Sequence, residues 1–375
     1  MSDSSILNNA ARIIKLVQAG TPADQALRDS LTQTRHYTAP GERRGISRAV
    51  FTYYRWWRWL NEKESSQKQL AAALGLQARF DQSPDAIKAA TLAARAVPDW
   101  LKAEMDDVPV AWLQQLQREP ALWIRPKQGL ETHVVPALGK CEPAAVENFG
   151  VKTNAYRYSG ITDLYRTHEF QAGEFEIQDL ASQLVGHAAA PKPGETWWDA
   201  CAGEGGKTMH LSDLMQNKGL IWASDRSLRR LVKLKERAAR AKVFNFRAAQ
   251  WEGTAKLPTK TKFDGILIDA PCSGIGTWQR NPHARWTTSP KDVHELAAVQ
   301  KQLLENVSGS LKPGGRLVYA VCTLSRGETT AIADAFSAAH PELTPEPVLG
   351  RTAQLTLWPQ NLNANGMFIA AWRRR

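Results

Sequence analysis

The sequence has little cysteine. Four residues in 375, Cys141, Cys201, Cys272 and Cys322, lie far apart with no CxxC pair. That scarcity argues against a disulfide framework and against a thiolate zinc site, so each thiol needs its own explanation. Also missing is any apolar run near the about 18 to 20 residues that a membrane span requires. The first residues, MSDSSILNNAARIIKLVQAG, lack the basic-then-apolar order of a secretory leader. No internal repeat or low-complexity tract stands out. The expectation is a cytoplasmic protein without a membrane partner or a metal.

A chain of 375 residues exceeds one typical domain, so two or three compact units are expected. The formal net charge is +11, with most of the excess after residue 150, which suits a polyanionic partner. Residues 1–96 read as helical. Thr21-Pro22 and Ser83-Pro84 look like helix starts. In PGERRGISRAVFTYYRWWRWLNE, residues Ile46, Ala49, Val50, Tyr53, Trp57 and Leu60 recur at helical spacing, and Arg44, Arg48, Arg55 and Arg58 form an opposite face expected in solvent. Prolines and tryptophans break the periodicity over 97–170, read as a small connecting subdomain.

From 171 to 375 strand, turn and helix alternate. The runs TWWDACAG, GLIWASD, KVFNF, FDGILIDAP and GRLVYAVCT are separated by helix-like segments, which implies βαβ units on a parallel sheet. Ligands bind such sheets at the carboxyl ends of the strands. The first run ends in Cys201-Ala202-Gly203-Glu204-Gly205-Gly206-Lys207-Thr208, where glycines allow a tight approach to a ligand before a helix. A phosphate-binding P-loop would need glycine at 201, where cysteine stands. A dinucleotide fingerprint would need it at 208, where threonine stands. The remaining reading is S-adenosylmethionine, with Asp225, twenty residues past Gly205 at the end of the second strand, placed to accept from ribose hydroxyls.

The fourth strand delivers Asp269-Ala-Pro-Cys272 and the fifth Tyr319-Ala-Val-Cys322-Thr323. A lone cysteine in an apolar run is ordinarily a small buried hydrophobe, but both of these fall at strand ends. Together with GEFEIQDLASQLVG, DACAGEGGKT, ASDRSLRRL, DAPCSG, RNPHARW, LKPGGRLVYAVCTLSRGE and GMFIAAW, they make residues 97–375 resemble the RNA cytosine-5 methyltransferases of the RsmB/Sun and Nop2 type. Residues 1–96 resemble the NusB-like RNA-binding domain of the bacterial ribosomal members. The resemblance implies an α/β, Rossmann-like S-adenosylmethionine-dependent methyltransferase domain, preceded by an all-α NusB-like domain and a small α+β connecting subdomain.

The implied chemistry accounts for the residue types. Carbon 5 of cytosine is a poor nucleophile, so a thiolate first adds to carbon 6, a task suited to cysteine. By the resemblance Cys322 is that nucleophile, Cys272 assists release, and Asp269 hydrogen-bonds the cytosine ring. Two readings of Lys207 stand: a positive charge that lowers a thiol pKa, or a helix-start residue contacting loop carbonyls. Cys201, Ala202, Gly203, Glu204, Gly205, Gly206, Lys207, Asp225, Gln250 and Asp269 form the expected cofactor site.

The chain departs from the family at Glu204, where proline is usual, at Gln250, where an acid is usual, at Val321, where threonine precedes the nucleophile, and in Gln279-Arg280-Asn281-Pro282-His283, where Arg-Arg-x-Pro-Asp is usual. His283 reads as a surface-loop residue. Arg226, Arg229, Arg230, Lys233, Arg237 and Arg240 share one helix face, read equally as a phosphate-neutralising stripe or a solvated face. Trp278 and Trp286 read as packing rather than as base-stacking platforms. The target cytosine must be unstacked. The expected substrate is ribosomal RNA and the expected state a monomer. A transfer RNA substrate and a non-catalytic ribosome-assembly factor are the alternatives; an amino-group methyltransferase lacks support because DAPC has no aromatic clamp.

Overall fold

The computed structural model describes residues 3–33 and 39–375. By packing, the chain divides into two compact units: Met1–Pro120 with Thr277–Ser289, and Ala121–Gly276 with Pro290–Arg375. No helix among the described residues is long and apolar enough to cross a membrane.

The first unit is helical, with Asp3–Gln18, Ala23–Gln33, Pro40–Arg55 and Ser66–Gln82 as its main helices. Its core gathers Ile13, Ile14, Leu27, Ile46, Val50, Tyr53 and Leu70. Three expectations fail here. The third helix stops at Arg55 and a 3-10 turn, Trp57–Trp59, follows; the helical phase is lost, so Trp56 is buried and Trp57 is exposed. Arg55, expected in solvent, is buried and donates to Gln77 Oε1 and Thr52 Oγ1. Ser83-Pro84 opens a 3-10 turn, Pro84–Ala86, rather than an α-helix.

Residues 277–289 complete this unit. Arg285 is fully buried and donates to the carbonyls of Ala96 and Leu116 at 2.9 and 3.1 Å. Trp278 is fully buried, edge-on to Trp100, and Trp286 Nε1 donates to Tyr54 O at 2.7 Å. Both tryptophans are packing residues. His283 is half-buried against Tyr54 rather than lying free on a loop, and burial lowers its pKa.

The second unit carries two sheets. The smaller is antiparallel, in the order β2-β3-β1-β4: β1 is Leu122–Pro126, β2 Cys141–Pro143, β3 Tyr156–Tyr158 and β4 Phe175–Ile177. The larger holds β5 (Thr196–Asp199), β6 (Leu220–Asp225), β7 (Phe246–Gln250), β8 (Phe263–Asp269), β9 (Leu311–Val321), β10 (Leu343–Pro345), β11 (Gln354–Leu357) and β12 (Met367–Arg374). Its order is β10-β12-β9-β8-β5-β6-β7, with β11 paired to β12.

The strands β5 to β9 run parallel. The central ones are buried on both faces and read as continuous apolar runs, such as Ile266, Leu267 and Ile268. Gly265 is required there because a Cβ would fall 2.2 Å from the Trp197 ring. All of the run KVFNF but its last residue lies before its strand: Val243 N bonds Ala238 O and Lys242 has φ +52°, a helix-terminating turn, and β7 starts only at Phe246. From β5 the chain steps through β6 to β7, then crosses back to lay β8 on the other side of β5. That reversal opens a crevice at the carboxyl ends of β5 and β8.

Candidate active site

The glycine loop leaves β5 at Asp199 and enters the helix Gly206–Leu214. Gly203 and Gly205 have φ of +56° and +84°, and a Cβ on Gly205 would fall 2.7 Å from Leu234 Cγ. A Cβ added at Gly203 or Gly206 would meet nothing within 4 Å, so the loop backbone is open to a ligand there. Ala202 is buried with its N–H on Ser224 O, while Glu204 is exposed and its carbonyl accepts from Arg237 Nη1. Cys201 is raised well above an ordinary thiol pKa, by burial first and then by Asp199, Asp269 and Asp225.

Asp225, at the end of β6, accepts from Gly203 N at 3.0 Å and Ser227 N at 2.8 Å. It therefore ties the loop to the second strand while keeping further lone pairs. Gln250 lies opposite it in register at the end of β7. Its amide is exposed and donates to Arg226 O and Glu252 Oε1.

Asp269 ends β8, paired in register with Ala320 of β9. Lys207 Nζ bonds Asp269 Oδ2 at 2.7 Å with the lysine buried, so its ammonium is directed at a carboxylate. Burial pulls the Lys207 pKa down, but Asp269, with smaller help from Cys322 and Asp199, holds it above the ordinary lysine value. Cys272 stands three residues past the end of β8 and Cys322 directly follows β9, with their Sγ atoms 3.3 Å apart. The hydrogen bond to Cys322, then burial, then the charges of Cys322 and Glu328 raise the Cys272 pKa well above an ordinary thiol. The crevice thus brings together Lys207, Asp269, Cys272 and Cys322 at its floor and the glycine loop and Asp225 at its side.

Asp199 was not singled out from the sequence. It is fully buried, accepts from Thr208 Oγ1 at 2.6 Å, and burial pushes its pKa up to about 7. A carboxylate closing an apolar run was the available signal. The basic helix Leu228–Arg240 is less free than its sequence implies. Arg237 and Arg240 both pair with buried Glu176, and Arg240 lies over the Phe170 ring at 3.9 Å. The exposed cations on the helix are Arg229, Arg230, Lys233 and Lys235, with Lys233 bonded to Glu236, and Arg226 is exposed just ahead of it.

Residues 187–373 match the family model described as 16S rRNA methyltransferase RsmB/F. A probable ribosomal RNA small subunit methyltransferase B of Bacillus subtilis (strain 168) is 36% identical over 222 residues, 56% of this chain and 50% of that protein. The chain thus spans about half the length of the curated relatives it matches. Among solved structures, NSun6 from Pyrococcus horikoshii with SFG is 30% identical, with a TM-score of 0.52 over 59% of this chain and 58% of that one. PH0851 shares the fold at a TM-score of 0.78 and 20% identity, over 100% of this chain and 99% of its own.

Proposed function

The chain belongs to the RsmB/F methyltransferase family through residues 187–373, and we propose that it methylates carbon 5 of a cytosine in ribosomal RNA through a covalent cysteine–cytosine intermediate, with S-adenosylmethionine as the methyl donor. The observation that carries this reading is the pair of thiols in contact at 3.3 Å beside the Lys207–Asp269 pair. A non-catalytic scaffold has no need of that arrangement.

The glycine loop and Asp225 are the cofactor-holding groups in this reading. Backbone open at Gly203 and Gly206 suits the methionine portion, Asp225 suits ribose hydroxyls, and Gln250 can bond an adenine amino group. SFG, carried by the Pyrococcus NSun6 structure, is an analogue of S-adenosylmethionine, which supports this assignment. When bound, the cofactor supplies an electrophilic methyl on a sulfonium.

Cys322 Sγ bonds carbon 6 of the cytosine, an electron pair moves through the ring to its nitrogen N3, and N3 takes up the proton that the thiol gives up. Asp269 holds the ring nitrogen and amino group, and Lys207 fixes the Asp269 carboxylate in position. Carbon 5 then takes the methyl group. Solvent takes the carbon 5 proton as the ring double bond re-forms and Cys322 departs from carbon 6; Cys272, kept as a thiol by its surroundings, gives its proton to the departing sulfur and regains one from solvent. The helical first unit and the exposed cations of Leu228–Arg240 serve as the RNA-contacting surfaces; phosphate contacts position the substrate, while the unstacked base is read in the crevice.

The test is a Cys272→Ala variant mixed with cofactor and total RNA. A protein–RNA adduct that survives denaturation is expected, and none with Cys322→Ala. Absence of the adduct, with methyl transfer unimpaired in Cys322→Ala, would overturn the assignment.

A further inference from the structure

The turn after β9 holds a carboxylate that the chemistry above leaves unused. Glu328 is fully buried. Its Oε1 accepts from Ser273 N at 2.9 Å and from Gln300 Nε2 at 2.9 Å. Its Oε2 accepts from Ser273 Oγ, from Thr323 Oγ1 at 3.1 Å and from Ser325 Oγ at 2.8 Å. These donors come from three segments. Ser273 follows Cys272, Thr323 follows Cys322, and Gln300 belongs to the helix Pro290–Ser308.

We propose that Glu328 is a positioning residue that locks the turn carrying Cys272 to the turn carrying Cys322, setting the contact between the two thiols.

A backbone hydrogen bond from Gly276 N to Cys322 O at 3.1 Å joins the same two turns; Glu328 adds to it a bond to the immediate neighbour of each cysteine. Ser273 Oγ and Thr323 Oγ1 are 2.8 Å apart, yet each also needs Glu328 as acceptor. Gln300 extends the lock: its Nε2 also donates to Pro271 O, and its Oε1 accepts from Tyr319 Oη, which reaches Glu328 O as well. Each cysteine thus has an immediate neighbour tied to one carboxylate. Buried hydrogen bonds to a charged acceptor are short-range and directional, so they fix geometry more than they add attraction. The charge has a second effect, since Glu328 contributes to the raised pKa of Cys272 and favours its uncharged form. An electron-rich thiolate beside Cys322 would repel the nucleophile; a neutral thiol does not.

The inference rests on the proposed use of both cysteines, but its test does not require activity. The protein is treated with a diazenedicarboxamide oxidant, which takes two electrons and two protons from a pair of thiols and leaves one disulfide and a hydrazine. Peptide mass mapping then follows the Cys272–Cys322 bond with time, because disulfide closure demands close, aligned sulfurs. Glu328→Gln keeps the side-chain shape and is expected to slow closure about tenfold. Thr323→Val removes one bond at constant size and is expected to slow it about threefold. In methyl transfer, with rates normalised to the fraction of protein that binds S-adenosylmethionine so that loss of folded protein does not count, both variants lower kcat and leave KM for RNA and for S-adenosylmethionine within about twofold of the parent.

Closure at the parental rate in a folded Glu328→Gln protein overturns the proposal; should that variant not fold, parental closure in Thr323→Val overturns it. A parental protein that closes the disulfide, together with a Cys272→Ala variant that traps no RNA adduct and a Cys322→Ala variant that still transfers methyl, refutes the catalytic reading and leaves the positioning role standing.

Discussion

Replacing Asp199 by asparagine should stabilise the protein at alkaline pH and change it little at acidic pH. Asp199 ends β5 with no exposure, and its Oδ1 has no partner while Oδ2 accepts from Thr208. Burial pushes its pKa from 3.8 up to about 7; Thr208 and Lys207 oppose the shift, while Asp269 and Asp225 add to it. That is about three units, and at ~1.4 kcal/mol per unit about 4 kcal/mol. In the unfolded chain the proton leaves near the ordinary aspartate value, whereas the folded chain keeps it until near neutrality. Between those values the folded state binds more protons. The contribution is therefore fully present below about pH 4, falls as pH rises, and is gone above about pH 7.

Asparagine carries no such proton. The unfolding free energy of Asp199→Asn minus that of the parent should rise by up to about 4 kcal/mol between about pH 4 and about pH 8. Denaturant unfolding followed by tryptophan fluorescence at several pH values measures this difference, and taking it between two proteins cancels most other titrating groups. A difference independent of pH would mean that Asp199 is ionised in the folded protein. It would also mean that Lys207 and Thr208 fully offset burial, and the electrostatic account of the crevice floor would be wrong.

Asp225→Ala removes the acceptor assigned to the ribose and frees the N–H groups of Gly203 and Ser227. Calorimetric titration should show S-adenosylmethionine binding weakened by about 10 to 100-fold, on about 1.5–3 kcal/mol for a bond to a charged group; unchanged affinity would refute the loop assignment. Arginines on the helix Leu228–Arg240 should separate into two classes. Arg229→Ala with Arg230→Ala should reduce the salt slope of RNA binding by about 1.4 and leave stability unchanged. Arg240→Ala uncovers buried Glu176, which keeps only Arg237, and should cost about 1–3 kcal/mol in denaturant unfolding. Equal effects of the two changes on salt slope and on stability would contradict the division between free and engaged cations.

Much of the crevice was legible because its elements are local. Strand runs ending in glycine or in Asp-Ala-Pro-Cys mark carboxyl ends in any parallel sheet, and the exclusion of the two phosphate motifs needed only spacing. The misreadings share a cause: each assumed that a local pattern continues. Helical phase was extended through Trp57 although the helix ends at Arg55. The helix face of Arg237 and Arg240 was treated as open although Glu176 comes from β4, remote in sequence.

By itself the sequence determined the alternation of strands and helices, the conformational freedom of the glycine loop and the chemical types offered at each strand end, since these depend on neighbouring residues and backbone sterics. Only the tertiary structure decided which of those ends meet. Strand order places β8 between β5 and β9, and this is what sets Cys272 against Cys322 and Lys207 against Asp269. It also decided that Thr277–Ser289 packs with the helical unit, through buried Arg285 and Trp278, and that Glu328 is a buried carboxylate among neutral donors. Such outcomes depend on long-range burial and on satisfying each buried polar group, and neither is encoded in a short stretch of chain.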